Sequence, residues 1–174
     1  MSWFGIFNPS PGNLADVQEL KPRGVVIPAV LWRSIETTPG YYEWRSLDNR
    51  VNPFALKGFN ITLVVKHESF PSTAPFDMAA YRNFIKALAL RYRYVAKAMQ
   101  CENEVESLSY WTGTPDQYTQ LLQAFQTAVR YAVGLEMAVA MAGFASELIL
   151  RAATGSAVVP MPPVVSIVPP APFL

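Results

Sequence analysis

The chain has one cysteine and one histidine, Cys101 and His67. A lone cysteine excludes an internal disulfide and any cysteine-cluster metal site. A lone histidine excludes a histidine-rich zinc site within one chain. Charge is sparse: 16% of residues are charged, the formal net charge is +1, and no long basic run occurs. Nucleic-acid binding, which usually shows a concentrated positive face, is therefore not predicted. There is no Gly-x-Gly-x-x-Gly and no Gly-Lys-Ser/Thr sequence, so nucleotide binding has no support. The Gly-x-Ser-x-Gly elbow of many serine hydrolases is missing as well. The first residues, Met1 to Phe7, lack the positive start of a signal peptide, and Pro9 and Pro11 soon interrupt them. No stretch is both apolar and proline-free for the length of a membrane span. The chain thus reads as soluble and names no compartment, and neither a metal nor a cofactor is expected.

What is present is a globular composition. The 174 residues are 51% hydrophobic, enough for one domain with a sizeable core. Short apolar runs alternate with helical patterns from residue 3 to about residue 146. Phe4 to Phe7 is a candidate first strand. Asn13 is placed to cap a short helix through Leu20, which Pro22 ends. Val25 to Leu31 is a second strand. Ser46 is placed to cap a helix with Leu47, Val51, Phe54 and Ala55 inward and Gly58 as its stop. Ile61 to Val65 is a third strand, rich in β-branched residues. Asp77 opens a helix whose apolar positions are Tyr81, Phe84, Ile85 and Leu88, a spacing of three and four. A fourth strand runs towards Glu104. Thr114-Pro115-Asp116-Gln117 is a capping box with proline at the first helical position. The helix it opens carries a stripe of Tyr118, Leu121, Leu122, Phe125, Val129 and Ala132. Glu136 to Ala142 is a fifth strand.

This alternation argues for parallel strands joined by helical crossovers. The strands are nearly continuous apolar runs, as expected when both faces are covered. Pattern alone leaves two architectures open: a doubly wound sheet, or part of a (β/α)₈ barrel. Two prolines resist the scheme. Pro28 lies within the second strand and cannot donate to the ladder, which predicts a bulge. Pro53 lies within the second long helix, where an ideal case costs roughly 3 kcal/mol, which predicts a kink or a late helix start.

After Arg151 the character changes. Residues 152–174 hold no charge and carry Pro160, Pro162, Pro163, Pro169, Pro170 and Pro172. Two readings stand. One is an irregular, apolar, proline-rich tail with polyproline II character. The other is a stretch outside the evolved fold, from a shifted reading frame or a truncated gene. The division expected is a domain over 1–150 and a tail over 151–174.

Glu102-Asn103-Glu104 carries most of the chemistry. It ends an apolar run and precedes a loop holding Tyr110 and Trp111. A carboxyl group can protonate a leaving oxygen, an amide can hold a hydroxyl, and an aromatic face can stack on a sugar ring. His67 follows the third strand, on what would be the C-terminal rim of a barrel, where active sites form. It reads as a substrate contact, or as a rim histidine bonded to Glu68 or the backbone. Trp32 and Trp44 read as packing residues, and Cys101 as a small buried hydrophobe. Strand alternation would put Glu102 and Glu104 on one face.

Residues 3–146 as a whole resemble the N-terminal part of a retaining glycoside hydrolase of the (β/α)₈ clan whose acid/base glutamate follows an asparagine on strand four. The β-galactosidase and β-xylosidase types are the most similar. The resembling residues are Trp32-Arg33-Ser34-Ile35-Glu36, Pro39-Gly40-Tyr41-Tyr42-Glu43-Trp44 and Leu47-Asp48. Further along come Lys57-Gly58-Phe59, Arg91-Tyr92, Gln100 with Asn103-Glu104, Tyr110-Trp111, Gln117-Tyr118 and Gly143-Phe144-Ala145-Ser146. Their order and spacing over five βα units carry the likeness. It implies a partial (β/α)₈ TIM barrel of about five units, acting on β-linked sugars. It implies Glu104 as general acid/base, Asn103 as the partner of the sugar 2-hydroxyl, and Trp111 as a loop aromatic at the sugar site. The family's nucleophile is a second glutamate at the end of strand seven, and no position here matches it.

Three departures accompany the likeness. The arginine usual on strand two is absent from Val25 to Trp32, the usual small residue two before the acid/base is Glu102, and Val105 replaces the usual proline after it. Glu102 does not substitute for the nucleophile, because it lies on the same side of the substrate as Glu104 and attack must come from the opposite face. Little or no hydrolysis is therefore expected of this chain, and two open sheet edges predict self-association. The competing class is non-catalytic: a carbohydrate-binding module, or an interaction protein using the proline-rich tail.

Overall fold

The structure, a computed structural model, describes residues 5–68, 71–75 and 77–141. The expected tail, the boundary at residue 150 and the family-like residues 143–146 lie outside the described residues. Five strands form one sheet: β1 (Gly5–Phe7), β2 (Gly24–Leu31), β3 (Asn60–Lys66), β4 (Ala96–Cys101) and β5 (Ala138–Ala140). Every neighbouring pair is parallel and the spatial order is β1-β2-β3-β4-β5. A doubly wound sheet reverses its order at a switch point. Unbroken sequential order is instead that of consecutive units of a (β/α)₈ barrel. The fold is α/β, a partial barrel of that kind.

Five helices join the strands: α1 (Leu14–Leu20), α2 (Trp32–Ile35), α3 (Arg45–Ala55), α4 (Met78–Tyr92) and α5 (Pro115–Val133). The apolar spacing read for α4 is its buried face. Tyr81, Phe84, Ile85 and Leu88 are all fully covered, and Asp77 caps the helix by accepting from the Ala80 amide at 2.9 Å. The capping box of α5 forms in both directions: the Thr114 hydroxyl accepts from the Gln117 amide and the Gln117 side chain accepts from the Thr114 amide.

Several local expectations change. Ser46 does not cap α3, because the helix begins one residue earlier and the Glu43 carboxylate accepts from the Arg45 amide at 2.9 Å. Asn13 makes no side-chain cap; a 3₁₀ turn over Pro11–Asn13, capped by Ser10, leads into α1 instead. Pro53 sits inside α3, which continues to Ala55. The Pro28 expectation holds: the β2–β3 register shifts between Ile27 and Val30, and Ala29 takes a left-handed φ of 53°. Arg50 donates to the Pro28 and Ala29 carbonyls that the bulge leaves outside the ladder. Gly24 is required at the start of β2, since a Cβ there would lie 2.7 Å from the Asn60 carbonyl oxygen of β3.

The sheet has two unlike faces. Val25, Ile27, Ile61, Leu63, Val65, Met99, Cys101 and Val139 are buried and join the helices in one apolar core. Of the residues that alternate with them, Val26, Thr62, Ala98, Gln100 and Ala140 remain half-exposed, whereas Val64 and Lys66 at the end of β3 are buried. This is the face a barrel turns inward. The described residues cover it only in part, while each large apolar side chain on the other face gains about 1.5–3 kcal/mol from burial. No helix among the described residues is long and apolar enough to cross a membrane.

Candidate active site

β3 and β4 bring the candidate residues to one end of the sheet. β4 stops at Cys101, three residues short of Glu104. Glu102 and Glu104 both take left-handed backbone, with φ of 60° and 49°. Strand alternation therefore ends before the motif and does not place the two carboxylates on one face. Left-handed backbone at a non-glycine residue costs of order 1–3 kcal/mol and persists only where surroundings impose it.

Those surroundings centre on Glu102, which is fully buried. Its amide donates to the Val65 carbonyl at 2.9 Å. Its Oε1 accepts from the His67 amide at 2.8 Å and from the Ser72 hydroxyl at 3.0 Å. Its Oε2 stands 3.4 Å from Nζ of Lys66, which is also buried. Burial pushes the Glu102 carboxyl up from its ordinary range, against the opposing pull of the His67 amide, Lys66 and Ser72. Gln100 holds the next segment: its Nε2 donates to the Glu102 carbonyl at 2.9 Å and to Asn103 Oδ1 at 3.2 Å.

Glu104 is half-exposed, and among the described residues nothing hydrogen-bonds its carboxylate. Its carbonyl accepts from the Ser107 amide at 3.0 Å, and the Ser107 carbonyl accepts from the amides of Tyr110 and Trp111. The Tyr110 carbonyl then accepts from the Ser72 amide at 2.7 Å, and the Thr112 amide donates to the Ser72 carbonyl at 2.9 Å.

His67 is buried, with Nδ1 3.0 Å from the Thr73 carbonyl and 3.7 Å from the Glu68 carboxylate. A carbonyl only accepts, so Nδ1 carries the hydrogen in that bond. Burial lowers the imidazole pKa. Its ring lies 5.4 Å from that of Trp32. Among the described residues its Nε2 meets no hydrogen-bond partner, and neither does Nε1 of Trp111. Trp111 lies in a loop as expected, but is only 2% exposed and meets Tyr118 edge-on at 5.9 Å. Its ring packs inside the protein rather than standing free. Trp32 is buried too, matching its reading as a packing residue.

No family model matches the sequence, and no curated protein matches it in sequence. Solved structures do match in shape. A glucosidase from Croceicoccus marinus gives a TM-score of 0.63 at 17% identity, covering 78% of this chain and 35% of its own. A family 39 glycoside hydrolase from Bacteroides cellulosilyticus gives 0.64 at 12% identity, covering 87% and 35%. A GH5_18 protein from Streptomyces cattleya, solved in complex with GlcNAc, gives 0.62 at 13% identity, covering 84% and 45%. What these three share with the chain is the fold, part of a (β/α)₈ barrel. This chain spans between 35% and 45% of the length of these three.

In that fold the C-terminal strand ends carry the chemistry, and the Asn103-Glu104 pair follows such an end. Among the described residues no group of three or more His, Cys, Asp or Glu side chains could hold a metal ion. The buried tie between Lys66, Glu102 and Ser72 was not foreseen. One sequence signal was available for half of it: Lys66 continues an apolar strand at a position that alternates with the core residues. Ser72 carries no such signal.

Proposed function

We propose that this chain carries the acid/base side of a retaining β-glycosidase site. Glu104 would protonate the departing glycosidic oxygen, and Asn103 would hold the sugar 2-hydroxyl. The observation carrying this reading is the Asn-Glu pair directly beyond the C-terminal end of β4 in a partial glycoside hydrolase barrel. A half-exposed carboxylate with no hydrogen-bond partner among the described residues supports the role, because a proton donor must be reachable. His67 is assigned to the rim of the same site, with Nε2 as the atom that meets a hydroxyl. Trp111 is assigned to shaping the site from within, through Tyr118. The reading assigns no nucleophile to these residues, so hydrolysis by the chain alone is expected to be negligible.

Titration with methyl β-glycosides, followed by backbone NMR, tests the reading. Shifts at Asn103 and Glu104 that vanish in Asn103→Ala are expected. An unperturbed 103–104 segment at saturating sugar would end the proposal. Turnover of an aryl β-glycoside that Glu104→Gln abolishes would overturn the absence of a nucleophile. Among the described residues β1 and β5 each pair with one strand, and self-association through these edges is part of the proposal. A single monomeric species in sedimentation would exclude it.

A further inference from the structure

The bonds around the candidate site close into a ring. From Glu102 Oε1 the path runs to the Ser72 hydroxyl, and from the Ser72 amide to the Tyr110 carbonyl. The Tyr110 and Trp111 amides meet the Ser107 carbonyl, and the Ser107 amide returns to the carbonyl of Glu104, two residues beyond the start. A second branch ties Glu102 Oε1 to the His67 amide at the end of β3. Glu102 is thus held at its amide and carboxylate by the end of β3 (Val65 and His67), at its carboxylate also by Ser72, and at its carbonyl by Gln100 of β4. A buried carboxylate with several partners is the kind of group that can impose left-handed backbone on its neighbours, and Glu104 has such backbone.

We infer that Glu102 is a positioning residue: its side chain ties the segment at Ser72, and through it the turn over residues 104–112, to the ends of β3 and β4 and thereby sets where Glu104 stands. It touches no sugar. The inference rests on the proposed role of Glu104 for its functional meaning, though not for its geometry. Because one oxygen, Oε1, serves both His67 and Ser72, reach matters more than charge. Glutamine keeps that oxygen at the same distance from the backbone, whereas aspartate withdraws it by one methylene.

Amide hydrogen exchange on the full chain separates these cases, with the Phe125 amide of α5 as internal reference for general loosening. In Glu102→Asp the Ser107 and Thr112 amides are expected to exchange about tenfold faster relative to Phe125, and in Glu102→Gln to stay near the wild-type ratio. Ser72→Ala cuts only one branch. It should release Ser107 and Thr112 while leaving the His67 amide protected, and it serves where a Glu102 variant does not fold. An unchanged ratio in both Glu102→Asp and Ser72→Ala overturns the inference, as does equal loss in the glutamine and aspartate variants. Sugar titration of the same proteins reads the functional part. Weaker binding in Glu102→Asp, restored in Glu102→Gln, is expected. If the wild type binds no sugar, the glycosidase reading fails, and the exchange ratios still decide whether Glu102 positions the loop.

Discussion

The two faces of the sheet differ more than their sequences suggest. Both come from the same short apolar runs, yet one is sealed and the other half-open. On the sealed face Ile61, Leu63 and Val65 are fully covered by the packed helices. On the other, Thr62 is half-exposed, Val64 is buried, and the row ends in buried Lys66 beside Glu102. One face contributes stability through apolar area. The other spends part of that stability on charged groups and left-handed backbone near the candidate site, the division expected when function and folding share a strand.

The largest test of this contrast is a pair of neighbours on β3. Leu63→Ala is expected to lower unfolding free energy by about 4 kcal/mol in urea titration, and Thr62→Ala by less than about 1 kcal/mol. Equal losses would mean that the faces are covered alike. Next comes Glu102→Ala, expected to lose about 3 kcal/mol because it leaves Lys66 buried without its carboxylate. A loss under about 0.5 kcal/mol in thermal or urea melts would show that the polar end of the inward face is solvated after all.

A smaller effect comes from His67, whose pKa burial lowers. A base with a depressed folded value contributes stability that is present above its unfolded value, 6.5, and lost as pH falls through the lower folded value. Stability should therefore decline as pH falls from 6.5 to the lower folded value, and His67→Gln should flatten that decline. As the chain has a single histidine, NMR titration of the ring reports it directly. A ring that titrates at or above 6.5 would show that this end of the sheet is open to water.

Much of the fold was legible in the residues. The three-and-four spacing of Tyr81, Phe84, Ile85 and Leu88 names the buried face of α4, and the Thr114–Gln117 box names the start of α5, because both are interactions within a few residues. Pro28 announced the bulge in β2 because a missing amide hydrogen is a local fact. Ser46 misled, since a cap there would accept from the Asp48 or Asn49 amide, and the chain path starts the helix at Arg45, so that the Asp48 amide already meets the Trp44 carbonyl. At the site, the Asn-Glu pair was visible, but its geometry was not. Alternation failed at Glu102, where left-handed backbone ends the strand.

Local periodicity, capping and proline chemistry thus determined, from the sequence by itself, that strands and helices alternate and roughly where each begins. Tertiary structure decided what those elements do to one another. Glu102 meets Ser72 and the His67 amide across separations of 30 and 35 residues. Such contacts exist only after β3 and β4 pair in register, and their strength comes from the exclusion of water around them. Neither condition can be written into a short stretch of chain.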